Sequence, residues 1–241
     1  MKILCIGNSF SQDACSYLSR IAEEDGVEIT TVNMMIGGCS LYTHFKNLHT
    51  DADAYYLEVN GSYSNFKVNL KEALLATQEW DLITVQQVST KSVDYESFQP
   101  YLNEIVNTIR KFNPKAKLAV HETWAYEEGS AKLEALGFEK RIDMYNALHS
   151  SYTKAAEEIG AAFIIPSGTL FQKMIEKGIT NIHRDTTHAS LNHGRYALGL
   201  LWYHLITGNS VLNNTFDNYK GDRMTEEEKN IIKKCVEEFK I

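Results

Sequence analysis

The stretch Lys2-Ile3-Leu4-Cys5-Ile6-Gly7-Asn8-Ser9-Phe10-Ser11 decides how the chain is read. Four successive apolar residues, 3–6, suit a strand buried on both faces, the kind a parallel sheet uses. The run stops at Gly7, and small polar residues lead into a helix-like stretch. Glycine adopts backbone angles that other residues avoid, and Asn and Ser cap helices, so a plain turn accounts for the pattern. The same pattern also suits a nucleophile, Ser9, displayed at the carboxyl edge of a sheet. The stretch alone supports both readings.

Similar apolar runs recur downstream. Strands are expected at 2–6, 27–34, 82–85, 117–121 and 161–165, with amphipathic helix patterns near 13–24, 70–78, 95–112 and 138–159. In the third helix pattern Leu102, Ile105, Val106 and Ile109 fall three and four apart, forming one apolar face. Leu198, Leu201, Trp202 and Leu205 repeat that spacing near the end. The alternation predicts an α/β fold in three layers, with helices on both faces of a parallel five-stranded sheet. Such sheets hold ligands beyond the carboxyl ends of their strands, where Ser9 falls. Residues 54–63 alternate around Asn60-Gly61, a two-residue hairpin signal, so an antiparallel hairpin over 55–66 is expected as an inserted lid or edge. No repeat or linker interrupts the pattern, and three prolines are too few to punctuate domains; 1–241 reads as a single domain.

Composition narrows the function classes. An apolar fraction of 44% is that of a globular protein, and 24 basic against 31 acidic residues give a net charge of −7. That balance offers no basic footprint, so neither nucleic acid nor a membrane surface is expected as a partner. The four cysteines form no C-x-x-C pair; buried, reduced thiols are expected, with no metal centre and no cofactor. No signal-peptide pattern opens the chain and no segment has transmembrane length, so a cytoplasmic location is expected unless a leader was trimmed. The sequons at Asn60 and Asn213 then read as chance matches. Nothing indicates the oligomeric state.

The second informative stretch is Ile182-His183-Arg184-Asp185-Thr186-Thr187-His188-Ala189-Ser190. Asp185 and His188 stand three apart, so one turn can face both side chains the same way. A serine hydroxyl is a poor nucleophile until a neighbouring base accepts its proton, and that base needs a partner to hold its other ring nitrogen protonated. Ser9, Asp185 and His188 are therefore candidates for a catalytic triad. The competing reading makes 185–187 a helix cap and His188 a surface histidine. His183, His188 and His193 recur every five residues, which suits no single helix face, and His121-Glu122 lacks the second histidine of a zinc-protease motif.

Taken together, Gly7-Asn8-Ser9 after the first strand and the late Asp185-x-x-His188 resemble the SGNH (GDSL-type) hydrolases, in an atypical branch. The resemblance spans nearly the whole chain and implies the flavodoxin-like fold of that superfamily. It further implies a serine esterase acting on a small-molecule ester, with a glycine backbone donor after the second strand. Gly38 fills that place, with Gly37 beside it. The family's Gly-x-Asn-Asp block is missing after the third strand; Gln86, or alternatively Gln87, is the side-chain amide available there for the oxyanion. Trp124 and Tyr126 follow the fourth strand and are candidates either for the pocket wall, stacking on a sugar, or for the core. A small acyl group, such as acetyl on a carbohydrate, is the substrate this implies. The alternative is a non-catalytic module binding a sugar or nucleotide at the same edge.

Overall fold

The opening apolar run becomes strand β1 (Lys2–Gly7), buried from Ile3 onward on both faces. The structure, a computed structural model, describes residues 1–76 and 79–240. In chain order the other strands are β2 (Thr30–Met35), β3 (Tyr55–Val59), β4 (Ser62–Val68), β5 (Leu82–Val85), β6 (Lys117–Glu122) and β7 (Phe163–Pro166). They form one seven-stranded sheet in the order β4-β3-β2-β1-β5-β6-β7. β1 lies between β2 and β5 and runs parallel to both, and β5, β6 and β7 continue the parallel array. The expected parallel five-stranded sheet is therefore only part of the observed one. The hairpin turns at Asn60 (φ 50°) and Gly61 (φ 75°), and β3 pairs antiparallel with β2, making a mixed sheet. The reason is an open edge: β2 would otherwise leave its backbone N–H and C=O groups unpaired.

The helices are α1 (Ser9–Cys15), α2 (Leu18–Glu24), α3 (Leu41–His49), α4 (Leu70–Ala76), α5 (Tyr101–Phe112), α6 (Ala131–Ala135), α7 (Arg141–Glu158), α8 (Ser167–Glu176), α9 (His193–Thr207) and α10 (Glu226–Glu237). Expected bounds change in detail, the strand expected over 27–34 running Thr30–Met35. The pattern at 13–24 is two helices, and the first begins earlier, at Ser9, because Asn8 caps it by accepting the Phe10 N–H at 3.0 Å. The pattern at 95–112 breaks at Gln99-Pro100 into a 3-10 turn (Tyr95–Phe98) and α5. Proline lacks an N–H and disfavours helical angles in the residue before it. The expected helix over 70–78 ends, as far as it is described, at Ala76; 77–78 lie outside the described residues.

α1, α2, α9 and α10 pack into one group, and α3, α4 and α5 into another. The core runs from Leu4 and Ile6 through Trp124 to Leu201 and Trp202 without a break. All four cysteines are free and buried. Among the described residues no helix is long and apolar enough to cross a membrane.

Candidate active site

β1 delivers the chain to the carboxyl edge of the sheet at Gly7, and a close approach explains that glycine. A Cβ there would collide with the Ser11 hydroxyl and stand 3.0 Å from Gln86 Oε1. Asn8 then ties three segments together. Its Oδ1 caps α1 and also accepts from Gln86 Nε2 at 2.8 Å, while its Nδ2 donates to the Cys39 carbonyl at 3.1 Å. Ser9, the first residue of α1, is partly exposed. Ser11 is buried, with its hydroxyl 2.8 Å from both the Asn8 carbonyl and Asn33 Oδ1. Of the two serines only Ser9 faces an opening.

The opposite wall is the loop before α9. Ser9 Oγ lies 2.8 Å from His188 Nε2, and His188 Nδ1 lies 2.8 Å from Asp185 Oδ2. The Asp185 carboxylate also accepts the backbone N–H of His188 at 2.9 Å and of Thr187 at 3.3 Å. Burial works against its charge, but the backbone and ring N–H groups of His188, with the Thr187 amide, outweigh it. The carboxyl is held well below the usual carboxylate range. In this geometry the His188 Nδ1–H donates to Asp185, leaving Nε2 to accept the Ser9 proton. Thr186, at the tip of the turn, sits at φ 70°, where a β-branched residue is strained, and Glu127 N–H holds its carbonyl at 2.8 Å.

Two buried groups fix this loop to α1 and to the sheet. Asp13, one turn beyond Ser9 on α1, is fully buried and accepts from Arg184 Nη1 at 2.8 Å and from Arg195 Nε at 2.9 Å. It also accepts the Ala189 backbone N–H at 2.9 Å. Trp124 donates its indole N–H to the Thr187 carbonyl at 2.8 Å and stacks on Phe10, ring centroids 4.2 Å apart. Trp124 has no exposed surface. The expected sugar-stacking role for it is therefore corrected: it is a core residue beneath the His188 loop, packed between Phe10 and Phe171.

Ser9, His188, Gly38, Thr90, Tyr126 and Lys132 line a cleft of about 290 Å³. Gly38, on the cleft wall, holds φ 63°, a conformation that favours glycine. Tyr126, nearly buried, borders the cleft, its hydroxyl 2.8 Å from Ser89 Oγ. The glutamines are elsewhere. Gln86 is buried, giving its N–H to Asn8 and receiving the His121 Nδ1–H on its carbonyl at 2.7 Å. Burial pushes His121 down to about 3, so its neutral ring also accepts from Ser167 Oγ at 3.0 Å. Gln87 donates to the Ser97 carbonyl at 2.9 Å and accepts from the Leu41 and Val88 amides. Neither lines the cleft, so the oxyanion role expected of Gln86, or of Gln87, does not match the geometry. Both amides tie down loops instead, because the strand end turns them inward.

The other tempting histidines part company. His183 Nε2 faces the Ala125 carbonyl at 3.0 Å and is pushed down to about 4 by burial, while His193 pairs with Glu228. Cys39, next to Gly38, is no rival nucleophile, since burial pushes its thiol up to about 12. A larger cleft, about 690 Å³, opens between Met1, Trp80, Phe163 and Gly208 at the amino edge of the sheet; among the described residues its lining has no Ser, Cys or His. Sequence reading missed Asn8 as a tie, Asp13 and Lys132. For Asp13 the only signal was a carboxylate on the apolar side of a helix.

The chain belongs to the family described as a domain of unknown function, DUF4886, whose model matches residues 2–238. The crystal structure of a DUF4886 family protein from Bacteroides uniformis is similar with a TM-score of 0.89 and 32% identity, over 99% of this chain and 93% of that one. A protein from Slackia heliotrinireducens proposed as an SGNH hydrolase gives 0.61 and 23%, over 83% and 95% of the two chains. A family 3 carbohydrate esterase from Talaromyces cellulolyticus gives 0.53 and 14%, over 83% and 92%. The last two likenesses show a common α/β fold. No curated protein matches the chain.

Proposed function

We propose that the protein is a serine esterase that removes a small acyl group, such as acetyl, from a carbohydrate through an acyl-enzyme. The reading rests on one observation: the hydrogen-bonded series Ser9–His188–Asp185, at 2.8 Å per step, opening into a cleft at the carboxyl edge of the sheet. His188 Nε2 takes the Ser9 proton as Oγ attacks the ester carbonyl carbon. Charge passes to the carbonyl oxygen, for which the backbone N–H groups of Ser9 and Gly38 are the proposed donors, Ser9 heading α1 where amides lack helical partners. Thr90 supplies the side-chain hydroxyl on that wall. Collapse expels the alcohol, which receives the proton from His188. Water then attacks the acyl-Ser9 carbonyl with His188 again as base, releasing the acid and restoring the serine. Asp185 remains charged throughout and steadies the imidazolium.

The cleft's volume of about 290 Å³ favours a short acyl chain over a long one. The likeness to a carbohydrate esterase supports a sugar as the alcohol. The test is hydrolysis of 4-nitrophenyl acetate and of an acetylated xylose by the wild type and by Ser9→Ala. Turnover that falls by several powers of ten in the variant, with folding intact, supports the reading. Turnover indistinguishable from wild type overturns it.

A further inference from the structure

Thr90 is the wall shared by the Ser9 cleft and a second depression of about 500 Å³, bordered by Tyr42, Tyr101, Asp94, Glu96 and Gln99. Its features are unusual for bare surface. Tyr42 is 47% exposed and meets Tyr101 edge to face, ring centroids 5.1 Å apart. Tyr101 is backed in turn by Phe45 at 5.5 Å, so the aromatic pair is a fixed platform. The Gln99 amide has both Nε2 and Oε1 buried without a partner. An amide that donates to nothing and accepts from nothing is costly to keep sealed, and turning the Gln99 side chain outward into the depression, where a ligand gives and takes hydrogen bonds, relieves that cost.

The chemistry of the lining selects the ligand. Two carboxylates, Asp94 and Glu96, line the depression with Lys91, and Lys154 stands 3.9 Å from Glu96, so the site carries no excess of positive charge for a phosphate while its carboxylates accept from hydroxyl donors. An exposed aromatic face takes the apolar face of a pyranose ring. A free amide matches a vicinal pair of hydroxyls, one donating and one accepting. A neutral, hydroxyl-rich ring compound satisfies all three.

We propose that this depression is a glycosyl-binding subsite, holding the sugar unit next to the one whose acyl group is presented to Ser9. The substrate class is then an acylated oligosaccharide or polysaccharide, not an acylated monosaccharide. This rests on the esterase reading for what happens at Ser9, but the binding claim stands apart from it.

Calorimetric titration of the full chain with xylotetraose, mannotetraose and chitotetraose tests it, with ATP as a charged comparison and with Tyr42→Ala and Tyr42→Phe as variants. The expected result is saturable binding of at least one tetrasaccharide, weakened about tenfold or more in Tyr42→Ala and kept within about twofold in Tyr42→Phe. Absence of binding by all three overturns the subsite, as does equal binding by Tyr42→Ala or a preference for ATP. Hydrolysis of 4-nitrophenyl acetate by the same wild-type sample separates the two claims. Turnover without tetrasaccharide binding leaves the esterase and removes the subsite; binding without turnover does the reverse.

Discussion

The buried carboxylate of Asp13 accepts the backbone N–H of Ala189, the residue after His188, at 2.9 Å. Asp13 lies four residues beyond Ser9 on the same helix, so one hydrogen bond links the helix of the nucleophile to the loop of the base. Arg184 and Arg195 close around the same carboxylate. Removing it leaves two largely buried guanidinium groups unpaired, and breaking buried pairs costs about 3–5 kcal/mol. Asp13→Asn keeps the shape while removing the charge. It is expected to lower kcat on 4-nitrophenyl acetate more than tenfold with KM little changed, and to slow labelling of Ser9. A loss of melting temperature with kcat intact would show a purely structural role.

Gln86 is expected to behave as a brace. Gln86→Ala strands the Asn8 and His121 side chains, so stability should fall by about 1–3 kcal/mol while kcat drops less than tenfold. Thr90→Val, by contrast, should slow turnover with stability unchanged. A 10²–10³-fold loss of kcat in Gln86→Ala at unaltered melting temperature would return the oxyanion role to the glutamine.

Trp124→Phe tests the indole hydrogen bond. The ring stack on Phe10 survives, but the buried Thr187 carbonyl loses its donor. Turnover should fall about tenfold and the melting temperature by a few degrees, about 2–4 °C per kcal/mol for a chain of this size. A raised KM for an acetylated sugar with kcat preserved would place Trp124 against the substrate instead.

Away from the cleft, Glu122 is buried and binds His149 Nδ1 at 2.7 Å, and that bond raises the histidine above its ordinary value. Because the folded value exceeds the unfolded one, near 6.5, the stabilisation is complete below about pH 6.5. It is lost as pH rises through the raised value. The melting-temperature difference between wild type and His149→Gln should therefore shrink from pH 5.5 to pH 8.5. A difference that grows over this range contradicts the assignment.

What the sequence discloses depends on how local the cause is. β1, β5 and β6 were legible because doubly buried parallel strands are continuous apolar runs. The hairpin was legible from Asn60-Gly61, yet its pairing with β2, Val32 opposite Val59, depends on which edge the folded sheet leaves open. The break at Pro100 was in view, but the apolar spacing on either side of it reads as one helix. Ser9 and the Asp185–His188 spacing were legible as turn-sized patterns, and the structure brings the three together. Gln86 was misread because its partner Asn8 lies 78 residues away. A residue's side of a strand end is set by that contact and not by the strand. Trp124 and Asp13 were obscured for the same reason, since only tertiary packing reveals which aromatic is sealed and which carboxylate is a core anchor.

In the proposed mechanism Ser9 is activated by His188. The most direct measurement is the rate and site of labelling by a fluorophosphonate, read by mass spectrometry of the digested protein. A single adduct on Ser9 is predicted, formed at least a hundred times more slowly in His188→Ala and absent in Ser9→Ala. An adduct on another serine, or equal labelling of wild type and His188→Ala, would contradict the claim.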